Sequence, residues 1–159
     1  MRKFSTRDIT MTAVIAALYV AMTYISAALG LSSGAIQFRI SEAMYALALV
    51  SHCAVPGLTV GCLLANMLTG CLPWDIVFGT LATYIGALGA YKMRRHGKWA
   101  LLIPVASNAL IVPFVIAWVY GVETAIPILI ITVGIGEAVC AFGLGALLYP
   151  VIKNKMDKR

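Results

Sequence analysis

Charge is scarce in this sequence. Of its 159 residues, 12 are Lys or Arg and 6 are Asp or Glu; charged side chains are 11% of the total against 62% hydrophobic. A soluble domain of this length exposes more surface than so few charges can cover. Motifs that carry chemistry are missing too. There is no GxxxxGK[ST] phosphate loop, so the chain has no P-loop route to ATP. No HExxH helix and no GxSxG turn occur. Cys53, Cys62, Cys71 and Cys140 show neither CxxC nor Cys/His ligand spacing. They are expected to be small membrane-embedded residues, with no disulfide framework and no metal site. The expectation is a protein that is not an enzyme and carries no cofactor of its own.

The abundant feature is the apolar run of membrane-crossing length, roughly 17–25 residues. Such runs place spans near 8–28, 35–51, 56–68, 75–91, 99–120 and 125–152. The expected fold is all-α: one polytopic domain over residues 1–159 with six transmembrane helices. The first run is longer than an ordinary signal h-region, so no cleavable signal peptide is expected. Basic residues fall in three clusters: Arg2, Lys3 and Arg7; Lys92, Arg94, Arg95 and Lys98; Lys153, Lys155, Lys158 and Arg159. These share one side of the membrane only if an even number of spans separates them, and four then two satisfies that. The positive-inside rule then puts both termini in the cytoplasm. It also accounts for the net charge of +6 without a nucleic-acid partner.

Arg39 stands outside those clusters, within GAIQFRISEAMY at 34–45. If the stretch is helical, Arg39 and Glu42 share a face. Charges at the mouth of a membrane segment are costly unless they are used. Gln37, Arg39, Glu42, Asn66 and Asp75 fall at the outer ends of spans two to four. Asn108 and Glu137 lie deeper, and Glu137 must pair, protonate or face a wet cavity. Together they predict an outward cavity for a small polar solute. Trp74 and Tyr84, with Phe38, Tyr45 and Phe78, are expected to sandwich a planar ring. Carboxylates beside amides suit a solute with N–H donors and a positive charge, such as a purine-like base bearing an amine.

Other signals concern packing. Asp8 is placed to cap the first helix, and Gly57 and Gly61 form a GxxxG face. Pro104 and Pro113 predict kinks, with Asn108 between them available to a freed carbonyl. His52 reads as a turn residue. Ala13, Ala17 and Ala21 recur every four residues, a stripe that serves either packing within the chain or docking of a partner subunit.

GAIQFRISEA at 34–43, VPGLTVGCLLAN at 55–66 and DIVFGTLAT at 75–83 resemble the queuosine-precursor transporter family. The likeness runs from FSTRDI at 4–9 through Gly136 and Glu137. Members of that family are substrate-binding S components of energy-coupling factor (ECF) transporters, a class of ABC importer. The resemblance implies a six-helix S-component fold and capture of 7-aminomethyl-7-deazaguanine or a related deazapurine. It implies partners as well: a transmembrane energising subunit and two cytoplasmic ATPases, which use the ATP. It favours docking for Ala13, Ala17 and Ala21. On that basis Glu137 and Asp75 are expected to accept solute N–H bonds, and Glu42 to meet the aminomethyl cation. Asn108 and Asn66 would hold the ring edge, Trp74 or Tyr84 would stack, and Arg39 would orient Glu42. The loop at 29–35 would act as a lid. The alternative is a stand-alone proton-coupled carrier with Glu137 as its titrating group; six spans without a clear inverted repeat are few for that mechanism.

Overall fold

Small residues decide where these helices touch. The computed structural model describes residues 5–31 and 38–157. Helix α1 (Thr6–Ala28) begins at a capping box, in which Ser5 and Asp8 bond each other's backbone and side chain. Helix α2 (Ala54–Leu68) lies against α1 through Gly57 and Gly61. A Cβ at Gly57 would stand 2.8 Å from Ile15 Cγ2, and one at Gly61 would stand 2.8 Å from Tyr19 Cβ. The expected GxxxG face is therefore used inside the chain, on the Ile15–Tyr19 side of α1. Helix α3 (Pro73–Lys92) packs on α2, and α4 (Leu102–Val119) packs on α3. Gly86 makes room there for Pro104 and Ser107. Pro104 sits in the first turn of α4, where its missing N–H costs nothing. Pro113 alone interrupts the helix interior.

The last expected segment is continuous but not uniform. Helix α5 (Ile126–Glu137) passes into a π-helical stretch (Ala138–Leu144) and then into α6 (Gly145–Asp157). The change of winding starts one residue after Glu137. Such π turns inside α-helices are frequent at functional sites.

The second expected segment, 35–51, is the largest departure. Among the described residues its helix is Ile40–Leu49, wound as a 3₁₀ helix. Ten residues at about 2 Å rise still reach about 20 Å, against about 15 Å for an α-helix. Eight of the ten are buried, including Glu42, Tyr45 and Ala46. This helix is the central post. It touches α1, α2, α3, the 3₁₀ turn Arg94–Leu101, the π stretch and α6. Gly145 lets α6 approach the Ala43 carbonyl, which a Cβ would meet at 3.4 Å.

All regular structure among the described residues is helical. Three stretches are long and apolar enough to cross a membrane: Thr6–Ala28, Arg94–Val119 and Ile126–Lys155. Only five of the 23 residues of α1 are buried. Val14, Leu18 and Ile25 of α1, Leu81 of α3 and Ile131 of α5 point away from the protein. Polar Glu42, Asn66, Thr83 and Asn108 point inward. An apolar outside around a polar inside is the arrangement a bilayer selects. The basic residues from Lys92 to Lys98, with Lys153 and Lys155, gather at the end opposite the 69–72 and 120–125 turns.

Candidate functional site

At that second end lies a cavity of about 450 Å³, within the range of roughly 300–1,000 Å³ typical of small-molecule sites. Thr23 and Ala27 of α1 form one wall, and Val112, Ile116 and Tyr120 form the facing one. Arg39, Asn66 and Asp75 supply the charged and amide groups. A narrow cleft continues inward, sharing Arg39, Asp75 and Val112 with the vestibule and adding Glu42, Gly79, Thr83, Asn108 and Glu137.

Each polar group arrives there for a local reason. Arg39 is extended backbone immediately ahead of the central post (φ −107°, ψ 101°), not part of its helix. Its guanidinium donates to Asn66 Oδ1 at 3.4 Å. Glu42 lies in the first turn of the post, and Tyr19 of α1 donates its hydroxyl to Glu42 Oε1. Tyr19, not Arg39, therefore orients Glu42; among the described residues no ion pair joins Arg39 to Glu42. Arg39, expected to act on Glu42 from a shared helical face, stands instead just ahead of the helix, which begins at Ile40. Asp75 opens α3 and accepts from Tyr120 at 2.7 Å. Burial, and then the bond to Asp75, raise the Tyr120 phenol above its usual range and keep it a donor. Tyr120 also receives the backbone N–H of Leu72, which ties the two outer turns together.

Among the described residues four buried polar atoms have no hydrogen-bond partner: Glu42 Oε2, Glu137 Oε2, the Tyr45 hydroxyl and Thr80 Oγ1. An unpaired buried acceptor costs about 1–3 kcal/mol, more when charged. Glu42 and Glu137 line the inner cleft. Gly79 keeps that cleft open: a Cβ there would stand 3.1 Å from Asn66 Nδ2 and 3.5 Å from Asp75 Oδ1.

The structure brings together six of the polar residues singled out from the sequence: Arg39, Glu42, Asn66, Asp75, Asn108 and Glu137. Gln37 and most of the 29–35 loop lie outside the described residues. Trp74 and Tyr84 are not part of the cavity. Trp74 is 62% exposed and stacks on Phe78 at 6.1 Å, and Tyr84 lines an apolar groove on the outer surface. Trp74 and Asp75 are adjacent, and on a helix neighbouring side chains point about 100° apart. Tyr45 is wholly buried in the core beneath the cleft. Among the described residues, the ring that does line the cavity is Tyr120. It, Tyr19 and Thr23 were missed. For α1 a signal existed: Tyr19, Thr23 and Ser26 repeat at helical spacing and form a polar face in an apolar helix. Ala13, Ala17 and Ala21 lie on the opposite face, exposed.

The family model described as QueT transporter matches residues 9–154. A curated relative, the queuosine precursor transporter QueT of Lactococcus lactis subsp. cremoris, is 36% identical over 86 residues. The match covers 54% of this chain and 50% of the relative, so the chain spans about half the length of the curated relative it matches. No solved structure matches the chain.

Proposed function

The chain belongs to the QueT transporter family, and from that premise we propose that it is the substrate-binding membrane subunit of an ECF-type importer. Its cargo is a queuosine precursor, 7-aminomethyl-7-deazaguanine or a close deazapurine. The observation that carries this reading is the pair of unpartnered carboxylate oxygens, Glu42 Oε2 and Glu137 Oε2, beside the inner cleft. In the whole cavity one guanidinium accompanies three carboxyl groups. A cargo that brings several N–H donors and a cation satisfies both facts, and an aminomethyl deazaguanine has both. Asn66 and Asn108 supply amides for the ring edge, and Tyr120 supplies the flat wall at the mouth. Arg39 holds Asn66 in place.

Orientation follows from charge. The cavity opens at the end remote from the basic residues, so the positive-inside rule turns it outward and leaves both termini in the cytoplasm of the cell membrane. Delivery inward of a tightly held cargo then requires an energy source, and the chain has no phosphate loop of its own. A transmembrane subunit and two cytoplasmic ATPases supply it. The exposed stripe of Ala13, Ala17 and Ala21 fits the docking of that subunit, since α1 spends its other face on α2 and the central post.

The test is a thermal-shift titration of the purified chain with aminomethyl deazaguanine, guanine and unrelated vitamins. A ligand present at 100 times its Kd stabilises by about 2.7 kcal/mol, so the deazapurine alone should raise the melting temperature by several degrees. A response to none of the deazapurines sinks the assignment of cargo. Proton-driven uptake by the chain alone, without nucleotide or partners, sinks the assignment of mechanism.

A further inference from the structure

Asp8, His52 and Cys53 meet at the end of the molecule opposite the cavity. Asp8 Oδ1 lies 3.6 Å from His52 Nε2. Cys53 Sγ lies 3.6 Å from Asp8 Oδ1 and 3.6 Å from His52 Nε2. Three ligand atoms of three chemical kinds thus form an equilateral triangle. Such a triangle is one face of a tetrahedron whose centre is about 2.2 Å from each corner, and zinc binds Asp oxygen, His nitrogen and Cys sulfur at roughly 2.0–2.3 Å.

We propose that Asp8, His52 and Cys53 form a binding site for a divalent transition-metal ion of the zinc type, with the fourth position open to water. The donor set suits that class. One thiolate, one imidazole and one carboxylate favour a borderline ion over calcium or magnesium, which take oxygen ligands. Two anionic ligands balance a doubly charged ion, the thiol giving up its proton to solvent on binding. Access and shielding are divided: the Asp8 and His52 side chains are 20% and 34% exposed, while Cys53 is buried.

The triangle is held in place by packing that owes nothing to a metal. Asp8 divides its oxygens: Oδ2 takes the Ser5 backbone N–H at 3.0 Å in the helix cap, leaving Oδ1 for His52 and Cys53. The turn carrying those two residues is fixed to α1 by Thr12, whose hydroxyl donates to the Cys53 carbonyl at 3.4 Å. Gly57 sits against the same stretch of α1. His52 and Cys53 are sequence neighbours, whereas Asp8 is 45 residues from Cys53. No spacing rule finds such a set; folding assembles it. A bound ion would clamp the amino end of α1 to the turn between the central post and α2.

The probe is Co²⁺ added to chelator-treated full-length protein in a Cys71→Ser background, which removes the partly exposed thiol at the other end. One equivalent should bind, giving the visible bands of tetrahedral cobalt and a sulfur-to-metal charge-transfer band, and Zn²⁺ should displace it. Cys53→Ser should lose the charge-transfer band. His52→Asn and Asp8→Asn should each weaken binding by at least about tenfold, the scale of disturbing even a supporting residue of a metal site. Asp8→Asn also disturbs the helix cap, so Ser5→Ala serves as the control: it loses the cap and should keep the spectrum. Variants are compared only where each gives one cooperative thermal transition. Absence of the sulfur band in folded protein overturns the proposal. So does binding weaker than about 1 mM, on the order of 4 kcal/mol, or a Cys53→Ser spectrum equal to that of the parent.

Discussion

Substituting Glu42 by Gln separates a site built for cargo from a site built for stability. The change keeps the shape of the side chain and keeps an oxygen for the Tyr19 hydroxyl, which now bonds Oε1. It replaces Oε2, an acceptor without a hydrogen-bond partner among the described residues, by an uncharged amide nitrogen. One orphan polar group replaces another and an ionisable group leaves the interior, so the melting temperature of the empty protein should hold or rise. The cargo loses its hydrogen bond to a carboxylate, worth about 1.5–3 kcal/mol. At about 1.4 kcal/mol per decade this weakens binding by roughly ten- to a hundredfold. Tyr19→Phe should behave in the opposite way. It strips the donor from Oε1 and leaves both oxygens of a buried carboxyl group without a partner, a cost again near 1.5–3 kcal/mol. For a chain of this size that is several degrees, at roughly 2–4 °C per kcal/mol. The assay is the same thermal-shift titration for both variants, with isothermal titration for affinity. Glu42→Gln protein that melts lower yet binds as tightly as the parent would refute the reasoning, because Glu42 would then be a structural residue.

Gly61→Ala should destabilise by about 1–3 kcal/mol, the range for overpacking, since its Cβ would meet Tyr19 Cβ at 2.8 Å; a denaturation midpoint checks it. Gly79→Ala should spare stability more than binding, because the added methyl enters the cleft beside Asn66 Nδ2; a larger loss in melting temperature than in affinity speaks against that. Trp74→Ala, at a 62% exposed position outside the cavity, should leave cargo affinity within about 0.5 kcal/mol of the parent. If the proposed docking of an energising subunit holds, Ala17→Trp on the exposed face of α1 should leave cargo binding by the isolated chain intact and abolish co-purification with that subunit.

The cavity residues were largely legible because each breaks a rule in its own stretch of chain. Arg39, Glu42 and Glu137 are charges where the membrane penalises charge, and Asn66, Asp75 and Asn108 interrupt apolar runs. Cost without local compensation is readable one residue at a time. Direction is not: Trp74 was misplaced by one helical step, and Tyr19 and Tyr120 belong to the site through partners 23 and 45 residues away. The 3₁₀ winding of the central post also escaped notice, since an apolar run reads alike as either helix until its neighbours fix its depth.

By itself the sequence determined an apolar, helical chain, the side on which its basic residues gather, and the polar groups that need a common refuge. These follow from the solvation energy of single side chains, which requires no knowledge of neighbours. Tertiary structure alone decided which oxygen is bonded and which is left bare. It chose the face of α1 that packs on α2 and the face left open, and it brought Asp8 to His52 and Cys53. Those outcomes depend on contacts between distant segments, and a contact has no energy until both partners are in place.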